Sequence, residues 1–116
     1  MEKFETLIAW QKAHMFVIEI YNVIKKFPKE EKFILVPQIL RAAISIAANL
    51  AEGTKRKTNK DQNHFFVMAE ASLEEIKYYL ILSGDLKYIS QKEKNYLLDI
   101  AHEIGRLING LVRLKS

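Results

Sequence analysis

The sequence predicts an all-α protein, an antiparallel bundle of four helices, on three observations. Only four glycines and two prolines interrupt its 116 residues. Apolar residues recur at helical spacing almost throughout, with no useful length of strand-like alternation. The periodic stretches are joined by connections of roughly two to eight residues, which force consecutive helices to run in opposite directions.

The first helix is predicted from Thr6 to Phe27, because Trp10, Ala13, Val17, Ile20, Ile24 and Phe27 alternate steps of three and four residues and form a bundle seam. Pro28 stops it by disfavouring helical geometry in the residue before. The connector KEEKFIL should tuck Phe33 and Leu35 under the bundle. Pro37 suits the first turn of the second helix, where its missing N–H costs nothing, and Gly53 is placed to end that helix as a left-handed cap. Thr58 with Asp61, and Ser90 with Glu93, resemble capping boxes that open the third and fourth helices. The third should present Phe65, Ala69, Ser72, Ile76, Leu80 and Ser83, and end near the Gly84-Asp85 turn. In the fourth, Leu97, Ala101, Ile104, Ile108 and Leu111 form another seam. Residues 1–116 are expected to make one domain, being enough to bury a core without staples.

The second helix is the most unusual. At about 100° per residue, Gln38, Arg41, Ser45, Asn49 and Glu52 fall within an arc of roughly 80°. The rest of its circumference is apolar, wider than the stripe of roughly 100° that one core face requires. Such a helix should be buried on more than one side, within its own domain or against another copy of the chain.

Composition narrows the chemistry. There are no cysteines, so disulfides, thiolate metal sites and cysteine nucleophiles are excluded, and a cytoplasmic location is expected. No run approaches the eighteen or so apolar residues of a membrane span, and the N-terminus lacks a cleavable leader pattern, so no membrane association is expected. Asp61 with His64 and Asp99 with His102 have the spacing of di-metal ligand pairs, but in an antiparallel bundle they sit at levels roughly 15 to 20 Å apart, so no metal site is expected. No phosphate-binding glycine loop and no serine with an evident base partner occur. The sequence therefore predicts no catalytic residues, no cofactor and no enzyme.

A net charge of +4 permits a polyanionic partner. Lys55, Arg56, Lys57 and Lys60 place four positive charges in six residues just beyond Gly53. Cations near a helix C-terminus are favoured by its dipole, which is one explanation; a phosphate-binding patch for RNA or DNA is the other. Without interleaved aromatics there, binding would be backbone-directed and weakly sequence-specific. The polar strip has two readings as well, a solvated edge with local pairing or a buried Arg41 held against a carboxylate of the third helix, Glu75. Both readings are structural.

Gln38, Ile39, Arg41, Ala42, Ala43, Ser45, Ile46, Asn49, Ala51, Glu52 and Gly53 resemble the signature of the four-helix bundle family first noted in open reading frames inside bacterial 23S rRNA intervening sequences. Leu7, Trp10, Ala13, Tyr21, Phe27, Pro28, Glu31 and Phe33 fit its N-terminal pattern, and Phe65, Ala69, Ser72, Leu73 and Glu75 fit its third helix. Ala71 stands where glycine is usual, and Val36-Pro37 replaces a polar pair. The resemblance implies a left-handed up-down-up-down bundle, assembly as a ring, commonly a homopentamer, and a relationship to the accessory variability protein of diversity-generating retroelements, which associates with a reverse transcriptase and nucleic acid. Most of the family has no assigned biochemical activity. The reading that results is a non-enzymatic oligomer binding RNA or DNA, with a scaffold for a protein partner as the alternative.

Overall fold

The computed structural model describes residues 1–115 as four helices, α1 (Ile8–Val23), α2 (Leu35–Lys55), α3 (Asn59–Asp85) and α4 (Gln91–Lys115). Short 3₁₀ turns cover Lys3–Thr6, Ile24–Lys26 and Lys29–Glu31, and no strand occurs among the described residues. The molecule is a rod of 44 × 23 × 23 Å. Neighbouring helices run in opposite senses at their contacts: Arg41 and Ser45 of α2 meet Glu75 and Ser72 of α3, while Lys12 and Glu19 of α1 meet Glu103 and Tyr96 of α4.

The core is the seam of inward faces. Phe16 and Ile20, Ile39, Ile46 and Leu50, Leu73, Ile76 and Leu80, and Leu97, Ile104 and Ile108 are almost wholly buried. Each such side chain stabilises the fold by about 1.5–3 kcal/mol, against about 0–1 kcal/mol for an exposed ion pair. Apolar packing therefore holds the bundle and the surface charges adjust its details. The one buried polar residue among those described, Ser83, is satisfied by donating to the Tyr79 carbonyl at 2.7 Å.

The ends of the helices follow local chemistry. Ser90 and Glu93 form a reciprocal capping box, with Glu93 N–H donating to Ser90 Oγ at 3.0 Å and Ser90 N–H to Glu93 Oε1 at 2.8 Å. Thr58 forms only half of one, accepting from Asp61 N–H at 3.1 Å. Helix α1 stops earlier than its periodicity suggests, tightening into a 3₁₀ turn before Phe27 turns extended ahead of Pro28. Helix α3 ends at Asp85, as expected, and the reversal into α4 runs through Leu86–Ser90, where Lys87 takes the left-handed conformation at φ 64°.

Three further expectations need correction. Phe33 does not tuck under the bundle: it is 84% exposed, and only Leu35 is buried. The space beneath the connector is filled by Phe27, whose ring lies 5.3 Å from that of Tyr88, so the following aromatic is turned outward. On α3 it is Phe66 that enters the core, while Phe65 lies to one side beneath Arg56. Gly53 does not end α2 as a left-handed cap, since the helix continues through it to Lys55 and no glycine has positive φ. Its value is its missing side chain, because a Cβ there would come within 2.6 Å of Phe66 Cε1.

Gly53→Ala should accordingly be destabilising. Alanine gains about 1 kcal/mol of helix propensity, but overpacking against a buried ring costs about 1–3 kcal/mol. Urea unfolding should show a net loss of about 1 kcal/mol, and Gly53→Ala combined with Phe66→Leu should recover part of it.

Candidate nucleic-acid interface

The basic run lies where α2 gives way to α3. Arg56 is the C-cap of α2 in extended conformation, and Lys57 and Thr58 bridge to α3. Gln62 Nε2 donates to the Arg56 carbonyl at 3.0 Å and fixes the bend. The Gly53–Phe66 approach sets how tightly the chain must turn.

The four cations are not equivalent. Arg56 Nη2 lies 2.8 Å from Glu52 Oε2, and its guanidinium carbon sits 4.5 Å from the centre of the Phe65 ring. Lys55 Nζ is 3.6 Å from Glu2 Oε2, which ties the N-terminal turn to this end of the bundle. Lys57 and Lys60 are exposed and make no ion pair among the described residues. The positive field at this corner therefore comes mainly from two lysines, with Lys55 and Arg56 already partnered by carboxylates. Arg56 packed on Phe65 is a cation–aromatic arrangement invisible to helical periodicity, because Phe65 reads as a seam residue.

Two residues of the polar strip, Arg41 and Ser45, bond across to α3, while Gln38 and Asn49 bond within α2 and Glu52 pairs with Arg56. Arg41 Nη2 reaches Glu75 Oε2 at 2.5 Å and Gln38 Oε1 at 3.3 Å. The Tyr79 hydroxyl donates to the same Glu75 oxygen at 2.7 Å, a partner the sequence did not suggest. Further along, Ser45 and Ser72 share a hydrogen bond of 2.8 Å, and Asn49 Nδ2 donates to the Ser45 carbonyl and hydroxyl, each at 2.9 Å. The Arg41–Glu75 pair is at the surface, not in the core: the arginine side chain is 54% exposed and the carboxylate 35%.

The Tyr79 hydrogen bond, with help from Arg41, holds the Glu75 carboxyl below the usual carboxylate range against a smaller opposing effect of burial. The same bond pushes the Tyr79 hydroxyl up. A depressed carboxyl stabilises the fold above its unfolded pKa and loses that contribution as pH falls through the lowered folded value; a raised phenol stabilises below its unfolded pKa and loses its contribution as pH rises through the raised one.

A shallow groove of about 580 Å³ separates α3 from α4, floored by Leu73 and Gly105 and edged by Glu70, Glu74, His102 and Arg106. Asp61 and His64 belong to the first turns of α3. Among the described residues no three metal-ligating side chains converge, and no helix is long and apolar enough to cross a membrane.

Glu75→Gln should lower stability near neutral pH by about 0.5–1.5 kcal/mol, the scale of one hydrogen bond and an exposed ion pair. Denaturant melts across an acid series should show the gap to the original protein closing as pH falls through the depressed Glu75 value, with a constant gap contradicting the assignment.

No curated protein matches the chain. Among solved structures, a protein of unknown function from the S23 ribosomal protein family of Bacteroides thetaiotaomicron superposes with a TM-score of 0.84 at 24% identity, covering 90% of this chain and 98% of that one. At that identity the likeness speaks for the fold. The sequence itself matches the 23S rRNA-intervening sequence protein family over residues 5–110, nearly its whole length, and the chain belongs to that family.

Proposed function

We propose that residues 1–116 form one non-enzymatic domain that assembles with copies of itself in the cytoplasm and binds RNA or DNA through its basic surface. The observation that carries the reading is the α2–α3 connection, where Lys57 and Lys60 stand exposed and uncompensated beside Lys55 and Arg56. Lysines presented this way engage phosphates as point charges, giving affinity without sequence preference. Assembly is supported by the outer face of α2, where Ile44 remains 43% exposed beside the exposed Ala48, and by Val67 and Met68 on α3. The wide apolar arc thus has more surface than one bundle covers, and a homopentamer is the assembly that the family resemblance suggests. Repetition around an oligomer would multiply weak phosphate contacts.

The second reading, a scaffold for a protein partner, draws on that same uncovered apolar surface together with the groove between α3 and α4.

Titration of labelled RNA at increasing salt tests the first reading. Four phosphate contacts to a single strand would give a slope of about −3 in log K against log salt. Lys57→Gln with Lys60→Gln should weaken binding more than Lys55→Gln with Arg56→Gln, because the second pair is already neutralised by Glu52 and Glu2. Absence of binding at low salt would remove the nucleic-acid reading. Light scattering addresses assembly separately: the expected mass is a multiple of 13.5 kDa, and a monomeric mass would leave the outer face of α2 for another protein.

A further inference from the structure

A second concentration of positive charge lies at the opposite end of the rod. There the α1–α2 connector and the α3–α4 reversal are fastened together: the Tyr88 hydroxyl donates to Glu31 Oε2 at 2.7 Å, Phe27 packs on Tyr88, and Lys26 pairs with Glu93. Residues 24–34 and 85–94 contain seven of the chain's eighteen basic residues and four of its fourteen acidic ones. That is +3 of the net +4, leaving eleven basic against ten acidic residues everywhere else. Lys25, Lys29, Lys32, Lys87, Lys92 and Lys94 make no ion pair among the described residues.

Aromatic side chains gather at the same end. All five tyrosines lie in these connectors or within about two helical turns of them. Phe33, 84% exposed with Lys32 Nζ 5.4 Å from its ring centre, projects from the tip beside Ile34, and Tyr21 and Tyr96 are about half exposed on α1 and α4. An exposed ring among unpaired lysines combines the two elements of a single-strand site, charge to follow the phosphates and a π-face on which an unpaired base can stack. A duplex keeps its bases stacked on one another and would use only the charge. A lipid surface is a poorer fit, because the residues come from short turns that also present Glu30 rather than from one amphipathic helical face.

We infer that this end binds single-stranded nucleic acid, with its lysines on the phosphates and Phe33 as the stacking platform. The inference rests on the nucleic-acid reading above but places a second, aromatic site about the length of the rod away from Lys57 and Lys60.

Fluorescence anisotropy with a labelled oligouridine strand tests it, with duplex RNA and phosphatidylglycerol vesicles as competitors. Phe33→Ala should weaken binding about tenfold, Phe33→Tyr should preserve it, and Lys32→Gln with Lys87→Gln should lower affinity and flatten the salt slope by about one to two. Because the three side chains are exposed, thermal melts should be unchanged. Equal affinity of Phe33→Ala and the original protein, competition by duplex as strong as by single strand, or binding to vesicles without binding to oligouridine would each overturn the inference. If Lys57→Gln with Lys60→Gln abolishes binding while Phe33→Ala does not alter it, the reading above stands and this one falls. If the original protein binds no strand at low salt, both fall.

Discussion

The approach of α2 to α3 is the constraint on which the rest of the structure depends. Where Gly53 faces Phe66 there is no room for a β-carbon, and toward the middle of the pair Ser45 and Ser72 share a hydrogen bond between the helices, beside the buried apolar side chains of both. Close helices need matched surfaces, and the ladder from Gln38 through Arg41, Glu75 and Tyr79 supplies one at their outer edge. An antiparallel pair of helices can slide in register by a turn at little apolar cost. The two polar contacts that cross between them, Arg41 to Glu75 and Ser45 to Ser72, oppose such a slip, because a shift of one turn would break both. Packing therefore supplies the stability of this pair and polar geometry its register.

Much of this was legible in the sequence because it is written in short-range patterns. Helical periodicity exposed the seam of α4 and, on α1, Ala13 and Ile20 but not the buried Ala9 and Phe16; the Ser90–Glu93 spacing marked a capping box, and the narrow arc of polar residues on α2 pointed toward a carboxylate at Glu75. The misses share a cause: each depends on which residue fills a space first. Phe27 and Tyr88 occupy the room beneath the connector, so Phe33 is excluded from it despite being as apolar. Phe66 takes the core position that Phe65 also suits by spacing. Gly53 has the composition of a helix terminator and the role of a helix contact, and only its neighbour in space distinguishes the two. Of the candidate site, the four basic residues were readable as a run; the partnering of Lys55 by Glu2, across more than fifty residues of chain, was not.

The electrostatics of the rod differ from what a linear scan of charge suggests. The densest basic run, at the α2–α3 connection, is partly neutralised by Glu2 and Glu52. The lysines at the other end are scattered along the sequence in two segments and are assembled only by folding. Separation in sequence hides them from motif reading, and a field sums over distance in space.

The contact between Tyr88 and Glu31 has a consequence for how that end moves. It closes a circuit of chain 57 residues long, joining two connectors that would otherwise fray independently. Opening either one releases the same phenol–carboxylate contact and loosens the same Phe27 face, so opening of one connector lowers the cost of opening the other by the worth of that contact, about 1 kcal/mol. A partner that held one of the two connectors would thereby steady the other as well.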